Sequence, residues 1–197
     1  MSAGAFIPET DSQLGLPSRG RVGMYCLIGA EAAIFTIFVV AYLFYVGKSL
    51  SGPTPKDVLR APVFFTICLL SSSLTVHLAV RELVRGKTNA FARWWLLTIA
   101  LGGIFLLGTV REWRHLIFDD GFTISTNLFG TTYYSLVGLH AFHVTAGLIA
   151  LTTVAVLGFL GHVETEHGER VAVLSLYWHF VDAVGVAVFT VVYIVGV

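Results

Sequence analysis

The sequence of 197 residues is unusually apolar, because 56% of its residues are hydrophobic and only 12% are charged. A soluble domain contains about 25% charged and 45–50% apolar residues. The 12 Lys and Arg residues balance the 12 Asp and Glu residues, so no basic surface is available for the phosphates of a nucleic acid. Two cysteines are too few for a disulfide framework. A soluble enzyme, a nucleic-acid-binding protein and a disulfide-rich scaffold are excluded, and a polytopic membrane protein is predicted.

Five apolar stretches are long enough to cross a bilayer, since about 20 helical residues span its hydrocarbon core. Backbone polar groups must be hydrogen-bonded within each segment in lipid, so the spans are predicted to be helices. The predicted spans are residues 22–46, 62–84, 94–110 with a continuation towards 116, 129–160 and 171–197. The predicted fold class is therefore all-α, a polytopic transmembrane bundle of five helices.

Residues 1–21 are predicted to form a polar N-terminal arm, and residues 22–197 a five-helix membrane domain. With five spans, the N-terminus and the second and fourth loops share one side of the membrane. These segments carry seven Lys and Arg residues, and the segments of the opposite side carry five. Because basic loops favour the cytoplasmic side, we expect the N-terminus inside and the C-terminus outside.

Six ionisable side chains stand out within the predicted spans, where such groups are costly and usually face the interior of a bundle. Glu31 lies about 14 Å along the first span at 1.5 Å per residue, too deep to reach water. Two pairs on the last two spans have members three residues apart, on one face of a helix. The six residues are Glu31, Glu112, His140, His143, His179 and Asp182.

The residues alone leave a structural and a chemical interpretation open. The two histidines of the fourth span and the His/Asp pair of the fifth could form one interhelical hydrogen-bonded network. Glu112 could pair with Arg111, Arg114 or His115, and Glu31 could join two helices. Alternatively, histidines three apart can ligate a metal ion, or two of the intramembrane histidines could hold a heme, although the paired Glu-x-x-His motifs of di-iron bundles are not present. Glu31 could also be linked to protons or lipid, as in a small transporter, but no inverted repeat is visible.

A series of motifs in the second half of the chain resembles subunit III of the heme–copper oxidases, notably of cytochrome c oxidase. Two further motifs, each around a glutamate, resemble the same family. In chain order the motifs are Ala30-Glu-Ala-Ala-Ile-Phe35, Arg111-Glu-Trp113, Phe122-Thr-Ile-Ser125, Phe129-Gly-Thr-Thr-Tyr-Tyr134, Gly138-Leu-His-Ala-Phe-His-Val144 and Tyr177-Trp-His-Phe-Val-Asp182. The resemblance covers residues 22–197 and is to the five-helix form of the family.

The resemblance implies a non-catalytic subunit of a proton-pumping terminal oxidase that passes electrons from cytochrome c to oxygen. It implies no catalytic residue, no metal ligand and no cofactor in this chain, with the heme and copper held by a catalytic subunit I. Other oxidase subunits and structural phospholipid are the implied partners, in a bacterial-type cytoplasmic membrane. A subunit III of a quinol oxidase or a nitric-oxide-reductase-associated homologue is the alternative. An autonomous metal- or heme-binding membrane enzyme is the alternative of a different class.

The resemblance also assigns roles to the six intramembrane residues. Glu31 matches a glutamate linked to protons and lipid, and the other five match a buried polar network. Gly185 departs from the pattern, since the family often has Trp there. Leu157 stands where some members have an arginine for a lipid headgroup.

Overall fold

The computed structural model describes residues 18–48, 59, 61–162 and 165–196. Within these residues the chain forms five long helices and no strand, and each helix is long and apolar enough to cross a membrane. They are α1 (Arg19–Tyr45), α2 (Val63–Val84), α3 (Thr88–Arg114), α4 (Leu128–Phe159) and α5 (Gly168–Thr190). The prediction of an all-α bundle with five spans is confirmed. Residues 1–17 of the predicted arm lie outside the described residues.

The largest difference from the predicted boundaries is at α3. This helix begins at Thr88 rather than at residue 94, and it continues as a π-helical turn over His115–Asp119. The helix begins with the polar residues Thr88 and Asn89, and these residues were therefore predicted to belong to the loop. The connection from α2 is a tight turn in which Gly86 has a φ of 75°, a conformation that glycine adopts without steric strain.

Four of the helices form a ring. α2 packs against α3 and α5, and α4 packs against the same two helices from the other side. α1 packs outside this ring, against α4 and α5. Phe35 and Tyr42 are the buried residues of α1, so this helix exposes most of its surface to the bilayer.

The indole of Trp178 on α5 lies at the centre of the ring and is completely buried. Its Nε1 donates a hydrogen bond of 2.9 Å to Ser72 Oγ on α2. A methyl group at Gly102 on α3 would lie 2.9 Å from the ring, and one at Gly147 on α4 would lie 2.8 Å from it. Glycine at these two positions therefore lets α3 and α4 approach the indole closely, as small residues do between membrane helices.

Part of the motif series builds the turn that leads into α4. Asn127 caps the helix, with its side-chain oxygen accepting a 2.8 Å hydrogen bond from Gly130 N. Tyr134 donates a 2.7 Å hydrogen bond back to the carbonyl of Phe122, whose ring is buried. A methyl group at Gly130 would lie 2.5 Å from the carbonyl oxygen of Thr123. The motif thus has a local structural role, which is to fix the start of α4.

The close packing at Trp178 predicts that alanine substitutions at two neighbouring glycines of α3 affect stability differently. Gly102→Ala should lower the free energy of unfolding by about 1–3 kcal/mol, because the buried indole must shift to accept the methyl group. Gly103→Ala is the matched control, since no heavy atom lies within 4 Å of its added methyl group, and it should be neutral or slightly stabilising. Unfolding of the purified chain in detergent, followed by circular dichroism, measures both. Equal stability of the two variants would contradict this packing.

Candidate functional site

The six predicted intramembrane residues all lie on the long helices, but the structure does not join them in one network. Glu31 and His143 form a pair, Glu112 is bound by two tyrosines, and His179 is bound by a serine. The side-chain nitrogens of His140 have no hydrogen-bond partner among the described residues, and the carboxyl group of Asp182 has no well-aligned hydrogen bond there, although Ser73 lies beside it. The candidate site is therefore a set of separate polar contacts, each between different helices.

The contact between α1 and α4 is the pair of Glu31 and His143. His143 Nε2 lies 3.0 Å from Glu31 Oε2, and the two side chains are 8% and 22% exposed, respectively. His143 Nδ1 lies 2.8 Å from the carbonyl oxygen of Leu139, one turn earlier on α4. The ring of Phe35 covers the imidazole, with the ring centroids 5.0 Å apart. Both imidazole nitrogens of His143 are thus engaged.

This geometry fixes the number of protons at the pair. A carbonyl oxygen only accepts hydrogen bonds, so Nδ1 of His143 must carry a proton and donate it. A neutral imidazole then presents only a lone pair at Nε2, and a hydrogen bond to Glu31 requires one further proton between the two side chains. That proton lies either on the carboxyl group, which then donates to Nε2, or on Nε2, which then donates to the carboxylate. In both forms the pair as a whole is electrically neutral, which suits a site in a lipid bilayer.

The second contact is centred on Glu112 near the end of α3. Its Oε1 accepts a 2.6 Å hydrogen bond from the hydroxyl of Tyr193 and a 3.2 Å hydrogen bond from that of Tyr133. Tyr193 lies in the π-helical turn that ends the last span, over Val191–Val195. The structure therefore pairs Glu112 with tyrosines of two other helices, whereas His115 bonds to Asp120 at 3.1 Å. Tyr133 belongs to the motif of residues 129–134, and this is a weak sequence signal for one of the two tyrosine partners of Glu112.

The third contact joins α2 to α5. His179 Nδ1 lies 2.6 Å from Ser73 Oγ, next to the bond from Trp178 to Ser72. Two successive residues of α5 thus bond to two successive serines of α2. Ser72 and Ser73 were not among the predicted site residues, because serines in an apolar helix are common and carry no charge.

His140 and Asp182 are each only 3% exposed. His140 lies between the rings of Phe35 and Phe105, at centroid distances of 6.5 Å and 5.7 Å. A methyl group at Gly185 would lie 3.2 Å from His140 Nε2, so the glycine at this position lets the imidazole lie against the backbone of α5. An unsatisfied buried polar group costs about 1–3 kcal/mol. The described residues thus leave the polar atoms of these two buried side chains without well-aligned hydrogen bonds.

The described residues contain no group of three or more His, Cys, Asp or Glu side chains arranged to hold a metal ion. Of the two cysteines, Cys26 is exposed on α1 and Cys68 is buried on α2. The arrangement of the described polar side chains can hold helices together and can hold one proton at the pair of Glu31 and His143.

Comparisons with known proteins agree with the motif series. The sequence profile of the family described as cytochrome c oxidase subunit III matches residues 18–197. The chain is 34% identical to cytochrome c oxidase subunit 3 of Alkalihalophilus pseudofirmus, over 95% of this chain and 97% of that protein. It is 30% identical to cytochrome c oxidase subunit 3 of Bacillus subtilis, over 96% and 93% of the two chains. It is also 32% identical to cytochrome bo(3) ubiquinol oxidase subunit 3 of Pseudomonas aeruginosa, over 88% and 84%. The resemblance inferred from the motifs is confirmed.

The two hydrogen bonds to Glu112 predict unequal effects of removing each hydroxyl. Tyr193→Phe should lower the free energy of unfolding by about 0.6 to 1.7 kcal/mol, because it removes the 2.6 Å hydrogen bond between two membrane helices. Tyr133→Phe, which removes the longer bond and keeps the ring, should have a smaller effect. Unfolding in detergent measures both, and Tyr193→Phe in a Glu112→Gln background should cost less than in the wild type. A larger loss for Tyr133→Phe would contradict this geometry.

Proposed function

This chain belongs to the cytochrome c oxidase subunit III family and is a membrane subunit of a heme–copper oxidase, and we propose that it is the non-catalytic subunit III of a proton-pumping terminal oxidase. In this proposal the complex passes electrons from cytochrome c to oxygen, and the similarity to proteins named cytochrome c oxidase subunit 3 supports this choice of electron donor. Subunit I holds the heme and copper, and this chain contributes to assembly, lipid binding and proton uptake.

The single observation that supports a non-catalytic role is that the polar side chains are used between helices. Both nitrogens of His143 form hydrogen bonds with protein atoms, and Glu112 accepts hydrogen bonds from the hydroxyl groups of two tyrosines. A metal or heme iron would need a free imidazole nitrogen, and at His143 neither is free. The imidazole of His140 has free nitrogens but is enclosed by the rings of Phe35 and Phe105 and by the backbone of α5 at Gly185. We propose that Glu112, His140, His143, His179 and Asp182 form a structural polar interior and ligate no cofactor.

Glu31 is proposed to be linked to proton uptake. Its pair with His143 holds one proton that can lie on either side chain, and Glu31 is 22% exposed at the edge of the bundle. Glu31 also lies on α1, the helix that packs outside the ring.

Phospholipid is proposed to bind against the apolar outer surface of the bundle. One groove, of about 460 Å³, lies between α3 and α4. Four of its lining residues are Leu106, Leu148, Thr152 and Leu157. Leu157 stands where some members of the family have an arginine, so the groove offers contacts to acyl chains and no basic side chain at that position.

The orientation is proposed from the charges at the two ends of the helices. Arg21 at the start of α1 lies 3.8 Å from Glu169 at the start of α5, so these two ends share one side of the bundle. The turn between α2 and α3, with Arg85 and Lys87, is on the same side. This more basic side is proposed to face the cytoplasm of a bacterial-type cell, with the C-terminus outside.

A quinol oxidase is the second candidate for the complex. The specific observation is the similarity to a ubiquinol oxidase subunit 3 over most of both chains. Because this chain is proposed to bind no electron donor, the same subunit architecture serves either donor.

The function is tested by purifying the tagged chain from membranes. We expect a heme-bearing large subunit to co-purify, and oxidation of reduced cytochrome c by the complex distinguishes it from a quinol oxidase. After removal of all other subunits, the chain should have no Soret band and no stoichiometric iron or copper. A Soret band or bound metal that stays with the isolated chain would contradict the non-catalytic assignment.

The role of Glu31 is tested by Glu31→Gln. The glutamine amide can donate to His143 Nε2, so the hydrogen bond and assembly should persist, but an amide cannot take up or release the proton. We expect the variant oxidase to pump fewer protons per electron or to inactivate sooner during sustained turnover. Glu169→Gln, at an exposed carboxylate, is the control and should behave as the wild type. If Glu31→Gln behaves like this control, the proton role is wrong.

A further inference from the structure

One face of α2 presents polar side chains outward, in a region where apolar side chains would face lipid. Ser73, His77 and Arg81 follow one another at intervals of four residues, which places them on one face of the helix. His179 of α5 joins this face through its 2.6 Å contact with Ser73, and His77 lies near enough to interact electrostatically with His179. We refer to Ser73, His77, Arg81 and His179 as the His77 patch. His77 and Arg81 are exposed, and the other two are partly exposed.

The depth of the patch follows from the helix ends. The end of α2 and the start of α5 are at one level, since a methyl group at Gly168 would lie 3.4 Å from the side chain of Val84. At 1.5 Å per residue, His77 lies about 10 Å and His179 about 16 Å from that end. With the charged turn of Arg85 and Lys87 at the bilayer surface, both imidazoles lie within a hydrocarbon core of about 30 Å, below the level of the lipid phosphates.

The chain leaves His77 and Arg81 without acceptors, whereas Ser73 bonds to His179 and lies beside Asp182 of α5. No hydrogen bond to His77 is present within the described part of the chain, and the only bond of His179 there uses its Nδ1. Arg81 has no carboxylate partner among the described side chains, because the neighbouring Glu82 binds Arg85 at 3.0 Å and Lys87 at 3.8 Å. Ionisable residues in membrane spans almost always face protein or a water-filled cavity and pair there.

We propose that the His77 patch is the docking surface for a transmembrane helix of another oxidase subunit, and that this helix carries an aspartate or glutamate at the depth of His77. The proposal rests on the proposed function, because it requires a membrane complex. The charge of the patch selects the partner: imidazole N–H groups and a guanidinium donate hydrogen bonds, and a carboxyl group accepts them from both. An anionic lipid could neutralise Arg81 near the helix end, but its phosphate would stay at the surface and leave His77 without an acceptor.

The proposal is tested first by photo-cross-linking in the intact complex. Benzoylphenylalanine replaces Leu74, which lies on the same face of α2 and is 63% exposed, so that His77 itself is kept. Ile149 on α4 is the matched control: it is 64% exposed, and it lies ten residues from the end of its helix, as Leu74 does. The ends of α4 and α2 share one side, since Phe159 and the start of α3 line one cavity. α4 lies across the ring from α2.

We expect the probe at position 74 to label a membrane-spanning peptide of another subunit with an acidic residue, and the probe at position 149 not to label that peptide. Labelling of lipid alone at position 74, or equal labelling of the same peptide from both positions, would overturn the proposal. If the complex co-purifies but position 74 labels only lipid, this inference fails and the proposed function stands. If no oxidase subunit co-purifies, the proposed function fails as well.

The substitution His77→Leu distinguishes a lipid-facing position 77 from one that contacts a partner helix. The two environments predict opposite effects on the retention of this subunit in the complex. Leucine is better solvated by lipid than histidine is, so His77→Leu in a lipid-facing position would leave retention of the subunit unchanged or improved. If His77 bonds to a carboxyl group of a partner, the variant should dissociate from the complex about tenfold faster in detergent, because the acid is left unpaired. The free energy of unfolding of the isolated variant chain should equal that of the wild type, since His77 makes no hydrogen bond to other described residues of the chain. Unchanged retention would contradict the proposal.

Discussion

The buried indole of Trp178 determines the spacing of the helices on which the other contacts depend. It reaches α2 through its bond to Ser72 and contacts α3 and α4 at glycines. Because lipid tails are as apolar as leucine, membrane helices gain little by burying apolar area, and close packing with interhelical hydrogen bonds decides their association. The indole of Trp178 provides both, because its ring packs closely against two glycines and its N–H donates a hydrogen bond to Ser72. The neighbouring His179 then lies within reach of Ser73, and the α4 face that carries His140 and His143 is turned towards α1 and α5.

α1 depends on fewer contacts than the ring does. Within the described part of the chain, its contacts include aromatic packing at Phe35 and Tyr42, the hydrogen bond between Glu31 and His143, and the ion pair of Arg21 with Glu169. One polar pair therefore serves two purposes: it positions α1, and it holds a proton inside the membrane at no net charge. This combination explains how a glutamate is tolerated in a helix whose other residues are almost entirely apolar, and it connects the structure to the proposed proton role of Glu31.

The sequence predicted the fold class, the five spans and the family, because each depends on local features: the length of apolar runs and the order of short motifs. It misplaced the start of α3, because Thr88 begins a polar helical turn that lies next to the apolar run. The sequence identified the residues of the candidate site but not the contacts between them. Spacing along a helix identifies which side chains share a face, but Glu31 and His143 are 112 positions apart, and their pairing depends on how α1 packs on α4. The tyrosines on Glu112 were missed for the same reason.

The central claim is that Glu31 and His143 are paired between α1 and α4 inside the membrane, and a double-mutant cycle between these two residues tests it most directly. Glu31→Leu, His143→Phe and the double variant are each unfolded in detergent, and the coupling free energy is the difference between the double change and the sum of the single changes. The pair predicts a favourable coupling of at least about 0.6 kcal/mol, the average for hydrogen bonds between membrane helices, and at most about 1.7 kcal/mol. Additive effects of the two substitutions would contradict the pairing.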